Sequence, residues 1–217
     1  MRTGTRAVII GIASGWSFAN TGPVARSIAE ELDVGLAATG WLITALLIAH
    51  AASQLPAARP IERFGAFAVV RVAFIALAVA NVLAALAPGF ALLLAMRVLT
   101  GLCTGPAFVG NLQGFRRLGG PVAAGWFGGA ATLGLAAALL AGGVIEDAGA
   151  DWRLQLWAAV PLCLAALAVM PRTRDDAGPS RTAGIRAVLG NAALIAAGTG
   201  LGEAILHRVG PRLLPVP

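Results

Sequence analysis

The sequence predicts an all-α fold, a polytopic transmembrane helical bundle with six to seven spanning helices. Three observations carry that expectation. Of the 217 residues, 58% are hydrophobic and only 12% charged, about half the charge of a typical soluble domain and too little to coat a water-facing surface. The apolar residues also come in long blocks, close to the roughly 20 residues that cross the hydrocarbon of a bilayer. The basic residues, every one an arginine, gather mainly in alternate connections between those blocks.

The first block, Ala7 to Val24, follows Arg2 and Arg6. A charged start, an apolar core and the small-residue stretch Ser17-Phe18-Ala19 also fit a signal peptide, but five more apolar blocks follow, so the segment reads as a retained first helix. Those blocks run Leu36 to Ala57, Ala66 to Leu86, Phe90 to Leu112, Val122 to Val144 and Leu154 to Met170. Pro88-Gly89 marks a tight turn, and Arg116 to Pro121 and Glu146 to Arg153 read as polar loops punctuated by glycine. Residues 1–171 are thus expected to form a six-helix bundle and 172–186 a central cytoplasmic loop. Residues 187–217 form a tail with a possible seventh transmembrane or interfacial helix. Ala187 to Leu206 is apolar enough to cross, yet it holds four glycines and Glu203 and is followed by His207 and Arg208.

Arginine resists translocation and accumulates on the cytoplasmic side. Arg2, Arg6, Arg59, Arg63, Arg116, Arg117, Arg172, Arg174, Arg181 and Arg186 fall on the side of the N-terminus. Opposite them in the six-helix region stand only Arg26 and Arg153, beside Glu30, Glu31 and Asp33 and beside Glu146, Asp147 and Asp151. The expected placement is a multi-pass protein of the plasma (inner) membrane with a cytoplasmic N-terminus and lipid around it.

The net charge of +6 does not point to nucleic acid, because the arginines lie in short loops and not on one water-exposed face. Cys103 and Cys163 sit inside apolar blocks without metal-ligand spacing, so neither a metal site nor a disulfide framework is expected. Gly198-Thr-Gly200-Leu-Gly202 lacks the preceding strand of a dinucleotide loop. No carboxylate pair or Ser-His or Cys-His arrangement stands out, so no catalytic residue, enzyme activity or cofactor is expected.

Ionisable groups in hydrocarbon cost at least about 2.5 kcal/mol on insertion scales, which makes each one a candidate for function. Arg97 lies about seven residues into its block, roughly 10 Å along the helix. Thr100, Thr104 and Asn111 share its face, with Gly101 and Gly105 alongside. This reads as a polar stripe facing a cavity, or else as a structural arginine bonded to carbonyls of a neighbouring helix. In the first block Ser14, Ser17 and Thr21 share a face with Asn20 beside it and Pro23 following, which fits either cavity lining or interhelical hydrogen bonding. His50 and Gln54 stand one turn apart, as packing residues or as a proton-exchanging pair. Arg71 is near enough to its helix end to snorkel. Gly125, Gly128, Gly129, Gly134, Gly142 and Gly143 give the fifth block a surface that admits close backbone approach. The sixth block, with few polar atoms after Gln155, is expected to face lipid.

Three motifs carry a resemblance. Ala58-Arg-Pro-Ile-Glu62-Arg63-Phe64-Gly65, between the second and third blocks, is similar to the cytoplasmic loop signature GxLxDRxGRR. Arg97-Val-Leu-Thr-Gly101 is similar to an RxxxG element of a fourth helix, and Trp152-Arg153 to the WR pair before a sixth. Together, over about residues 1–171, they resemble the N-terminal six-helix half of a major facilitator superfamily (MFS) transporter. Ala58, Glu62 and Ala66-Phe67 depart from the loop signature, and Ala138-Leu139 stand where the family's antiporter signature has Gly-Pro.

The resemblance implies transport of a small solute, possible proton coupling, and a substrate or coupling site drawn from Arg97, Thr100, Thr104, Asn20, Thr21, His50 and Gln54. Glu62, Arg63 and Gly65 would form a conformational latch, and Gly101, Gly105, Gly134, Gly142 and Gly143 would pack helices. Because the family alternates access between two halves, a second half-transporter or a homodimer is the implied partner. The alternative expectation is a truncated, non-transporting membrane bundle or an accessory interaction subunit.

Overall fold

Hydrocarbon offers a peptide group no water, so a spanning segment must close its hydrogen bonds within itself, and apolar blocks of this length become helices. The computed structural model describes residues 1–172, which contain seven helices and no strand. They are α1 Thr3–Ala19, α2 Ala25–Glu31, α3 Leu36–Gln54, α4 Ala58–Phe64, α5 Ala66–Ala85, α6 Phe90–Asp147 and α7 Leu154–Val169. By length and composition α3, α5 and α6 can each cross a membrane, and α7 is a shorter apolar helix. The segment from residue 173 onward, including the candidate seventh helix 187–206 and Glu203, lies outside the described residues.

Although α6 runs for 58 residues, it is not one rod. Gly119 and Gly120 leave helical geometry, and Gly120 takes φ 69°, a left-handed conformation that glycine adopts without a Cβ penalty. Pro121 then opens the next turn, where its missing N–H would have had no helical partner. A straight helix would hold Phe108 and Phe127 about 28 Å apart. Their ring centroids are 5.6 Å apart. The chain therefore folds back, and α6 supplies a first arm, 90–118, and a second arm, 121–147. With α1, α3, α5 and α7 these arms make up the six predicted crossings.

Several boundaries differ from the sequence reading. The first block leaves its helix at Ala19, Asn20 to Val24 form a turn, and the acid-rich connection after it coils into the short helix α2. The second block ends at Gln54, and the Arg-rich connection after it coils into α4, anchored by Ile61 against Ala66 and Val109. The expected loop at 116–121 shrinks to the two glycines, because Arg116 and Arg117 continue the helix as exposed side chains.

Two seams without bulky side chains set the packing. Gly11 of α1 has Phe127 O 2.6 Å and Ala130 Cβ 2.8 Å from where its own Cβ would stand, Gly15 meets the backbone of Ala131, and Gly134 meets that of Ile12. On the other side Gly101 lies against Leu46 and Ala49 of α3, and Gly105 against His50 and Ser53. Thus α1 docks on the second arm of α6 and α3 on the first. Phe67, Phe115 and Phe127 fill the space near the bend, with ring centroids 5.3 Å and 5.9 Å apart. Helix α7 departs from the expectation that it faces lipid throughout. Gln155, Leu156, Ala159, Cys163 and Ala166 are buried against α1, α5 and α6, while Leu154, Trp157 and Leu164 stay exposed.

Candidate functional site

Helix α1 ends at Ala19, which leaves its last carbonyls without helical donors. Arg97 reaches across from the first arm of α6 to fill them. Its Nη2 donates to Phe18 O at 3.2 Å, and its Nη1 to Ser17 O at 3.5 Å and to Asn20 Oδ1 at 2.8 Å. The side chain is 1% exposed. The negative end of the α1 dipole thus supports a cation inside the bundle, and among the described residues no carboxylate pairs with it. Arg97 Nε, also buried, has no partner.

The remaining polar residues on this face divide into two kinds. Thr100 turns its hydroxyl back to Met96 O at 2.8 Å, an in-helix bond that leaves it no donor to offer. Thr21 Oγ1 and both amide atoms of Asn111 are buried without a partner. Ser14 bonds Ile10 O within α1, and Ser17 Oγ lies 3.8 Å from Cys163 Sγ.

His50 forms a second cluster with Thr104 and Gln54. Thr104 donates to Gly101 O at 3.1 Å, so its oxygen accepts from His50 Nδ1, also at 3.1 Å. Gln54 Nε2 then donates to His50 Nε2 at 2.8 Å. These partners specify a neutral imidazole protonated on Nδ1. Phe18 and Phe108 meet its ring edge-on, with centroids 5.1 and 6.2 Å away. Phe18 therefore touches both clusters: its carbonyl binds Arg97 and its ring packs on His50.

The latch candidates lie apart, on α4. Glu62 and Arg63 are exposed, and Arg63 rests over the Phe64 ring at 5.1 Å. Among the described residues Glu62 has no ion-pair partner. Gly65, at φ 89°, gives its N–H to Ile61 O at 3.0 Å and closes α4 before α5 begins. A residue with Cβ would be strained there. Arg71 Nη2 donates to Pro171 O at 3.1 Å, tying α5 to the end of α7.

Of the packing glycines, Gly101, Gly105 and Gly134 form the seams, and Gly142 lies against Pro23 and Gln155. Among the described residues nothing stands within 4 Å of the Cβ position of Gly143, which one step along the helix turns about 100° from Gly142. Gly125, Gly128 and Gly129 are open in the same way.

Sequence reasoning missed three groups that this architecture uses. Gly11 and Gly15 were legible as a GxxxG pair. Asn81 of α5 accepts from Asn20 Nδ2 at 2.9 Å, and its position inside an apolar block was the available signal. At the acid-rich ends of the helices, Glu31 accepts from Trp152 Nε1 at 2.7 Å and from Arg153 Nη1 at 2.6 Å. Arg153 Nε also donates to Ala85 O at 3.0 Å, and Glu146 receives both the N–H and the hydroxyl of Ser27. No carboxylate partner could be read from sequence spacing across more than a hundred residues.

Comparison with known proteins adds the family. A model of the Major Facilitator Superfamily matches residues 7–214, nearly the whole chain. No curated protein matches it. The chain belongs to the Major Facilitator Superfamily, whose members are membrane proteins that transport small solutes.

Proposed function

We propose that this member of the superfamily moves a small solute with Arg97 as the charged centre of its transport site, acting as a half-length unit beside a second half or a second copy. The chain is placed in the plasma membrane with its N-terminus in the cytoplasm, an orientation that the arginine distribution supports. The observation that carries the reading is a guanidinium buried at 1% exposure, held by two helix-end carbonyls and one neutral amide. A charge so supported keeps its positive field for an anionic group of the solute, or for repelling a proton from a nearby carrier. His50 is the nearest candidate carrier through Phe18. Its protonation would require the Gln54 amide to turn and offer Oε1 to the new Nε2–H.

Glu62, Arg63 and Gly65 are proposed as the latch, with Gly65 supplying the sharp bend between α4 and α5. Purified protein reconstituted into vesicles and offered a panel of small anionic, neutral and cationic solutes tests the reading. Arg97→Ala should abolish uptake of the transported solute while inserting normally. Undiminished uptake by that variant would sink the assignment.

A further inference from the structure

A carboxamide facing an arginine must present its oxygen, because its nitrogen would set donor against donor. Oxygen and nitrogen of an amide have nearly the same shape, so something other than packing has to fix the choice. For Asn20 the structure supplies it in one direction. Arg97 Nη1 donates to Asn20 Oδ1 at 2.8 Å, Asn20 Nδ2 donates to Asn81 Oδ1 at 2.9 Å, and Asn81 Nδ2 donates to Leu77 O at 2.8 Å. The last acceptor is a helix carbonyl and cannot become a donor. Reversing Asn81 would set its oxygen against that carbonyl, and reversing Asn20 would set its nitrogen against Arg97. Every residue in the relay is at most 1% exposed, so bulk water does not compete for its hydrogen bonds in this arrangement.

We propose that Asn81 is a positioning residue for the transport site: without touching Arg97, it fixes the Asn20 amide and through it the orientation of the guanidinium. The relay also joins three helices, the first arm of α6, α1 and α5, through neutral groups only. It thereby orients the cation without cancelling its charge, as a carboxylate would. This inference rests on the reading of Arg97 as the charged centre of transport.

The test uses the full chain in detergent micelles, labelled with ¹⁵N in its arginines and tryptophans. A guanidinium held at both ends rotates slowly and gives separate signals for its two η groups. Those of Arg97 are identified by their loss in Arg97→Lys. In the wild type they should be separate, in Asn81→Ala they should merge, and in Asn20→Ala/Asn81→Ala they should look like Asn20→Ala alone. Unchanged Arg97 signals in Asn81→Ala would overturn the proposal. The tryptophan indole signals report folding, since Trp16 and Trp152 donate to Gln155 O and Glu31. Should Asn81→Ala fail to fold, Asn81→Asp decides. Recorded at a pH that keeps the new carboxyl protonated, it donates to Leu77 O as the Asn81 amide does and still accepts from Asn20, so separate signals are expected, and merged ones would overturn the proposal. Undiminished transport by Arg97→Ala would refute the transport site and leave these signals untouched, so the two readings fail separately.

Discussion

Arg97 and Arg153 both donate to carbonyls at the ends of helices, Arg97 to Ser17 and Phe18 of α1 and Arg153 to Ala85 of α5. They differ in what else surrounds the charge. Arg153 sits at the acid-rich rim with its side chain 23% exposed, paired to Glu31 and stacked 4.5 Å from the Trp152 ring centroid. Its charge is cancelled where it stands, and it works as a staple between α2, α5 and the α6–α7 turn. Arg97 sits in the interior and meets only dipoles. Burying a carboxylate beside it would have added a second desolvation penalty, whereas helix-end carbonyls are already present and already lack donors. The same residue type is therefore structural at the rim and, on the proposed function, available to a solute in the centre.

The centre requires α1 and α6 to approach backbone to backbone, and the rim does not. Gly15 stands two residues from Ser17 and faces the Ala131 carbonyl, a main-chain atom that cannot rotate away. Gly15→Leu should therefore destabilise the bundle by about 3 kcal/mol or more, the upper end of overpacking costs. Gly143→Leu, on the same arm where no described residue stands within 4 Å of its Cβ position, should leave stability nearly unchanged. Unfolding in detergent followed by circular dichroism compares them, and equal losses would mean that the glycine seam does not hold the centre together.

Converting the centre into a copy of the rim is the next largest change. Asn20→Asp would give Arg97 a carboxylate and leave Asn81 without its donor. If the solute uses the uncancelled charge, its affinity should fall by roughly tenfold to a hundredfold, matching the roughly 1.5–3 kcal/mol of a charged hydrogen bond. Concentration dependence of uptake in vesicles measures it. An unchanged KM would place solute recognition elsewhere.

How much of this was legible depended on the range of the signal. The six crossings followed from block length, because the bilayer imposes a fixed span on every helix. Arg97 stood out for a similar reason, as charge in hydrocarbon has to be accounted for one residue at a time. Its partners were less visible. Ser17 and Phe18 contribute main-chain oxygens, which any residue could supply, and Asn81 belongs to another helix whose rotation no local pattern fixes. The rim staple joins Glu31 to Trp152 and Arg153 across more than a hundred residues, and its charges looked from sequence like ordinary loop polarity. Gly142 and Gly143 could not be told apart, because composition gives the small residues of a helix but not which of its sides meets a neighbour: among the described residues only Gly142 does.

His50 lies between the two regimes, neutral and committed to Thr104 and Gln54. Thr104→Val removes the acceptor of its Nδ1–H; because His50 is only partly buried, the cost should lie near the lower end of the roughly 1–3 kcal/mol of an unsatisfied buried donor. If the imidazole exchanges protons during transport, the pH profile of uptake should also move. A loss of stability with an unmoved profile would make His50 a packing residue, like the centre's threonines and unlike Arg97.

The smallest effect belongs to the rim. Glu31→Gln keeps an oxygen for Trp152 Nε1 but removes the charge facing Arg153. With Glu31's side chain 46% exposed and Arg153's 23%, solvent screens the pair, and the loss should be no more than about 1 kcal/mol. Salt separates the two regions further. The wild type should lose part of this margin at high ionic strength while the Glu31→Gln variant does not, because screening acts on partly exposed pairs. Arg97, bonded to dipoles inside the bundle, should contribute nothing to that salt dependence. Thermal unfolding of wild type, Glu31→Gln and Arg97→Met at low and high salt measures it. A salt response that vanishes in Arg97→Met would mean that the central charge is exposed to ions after all.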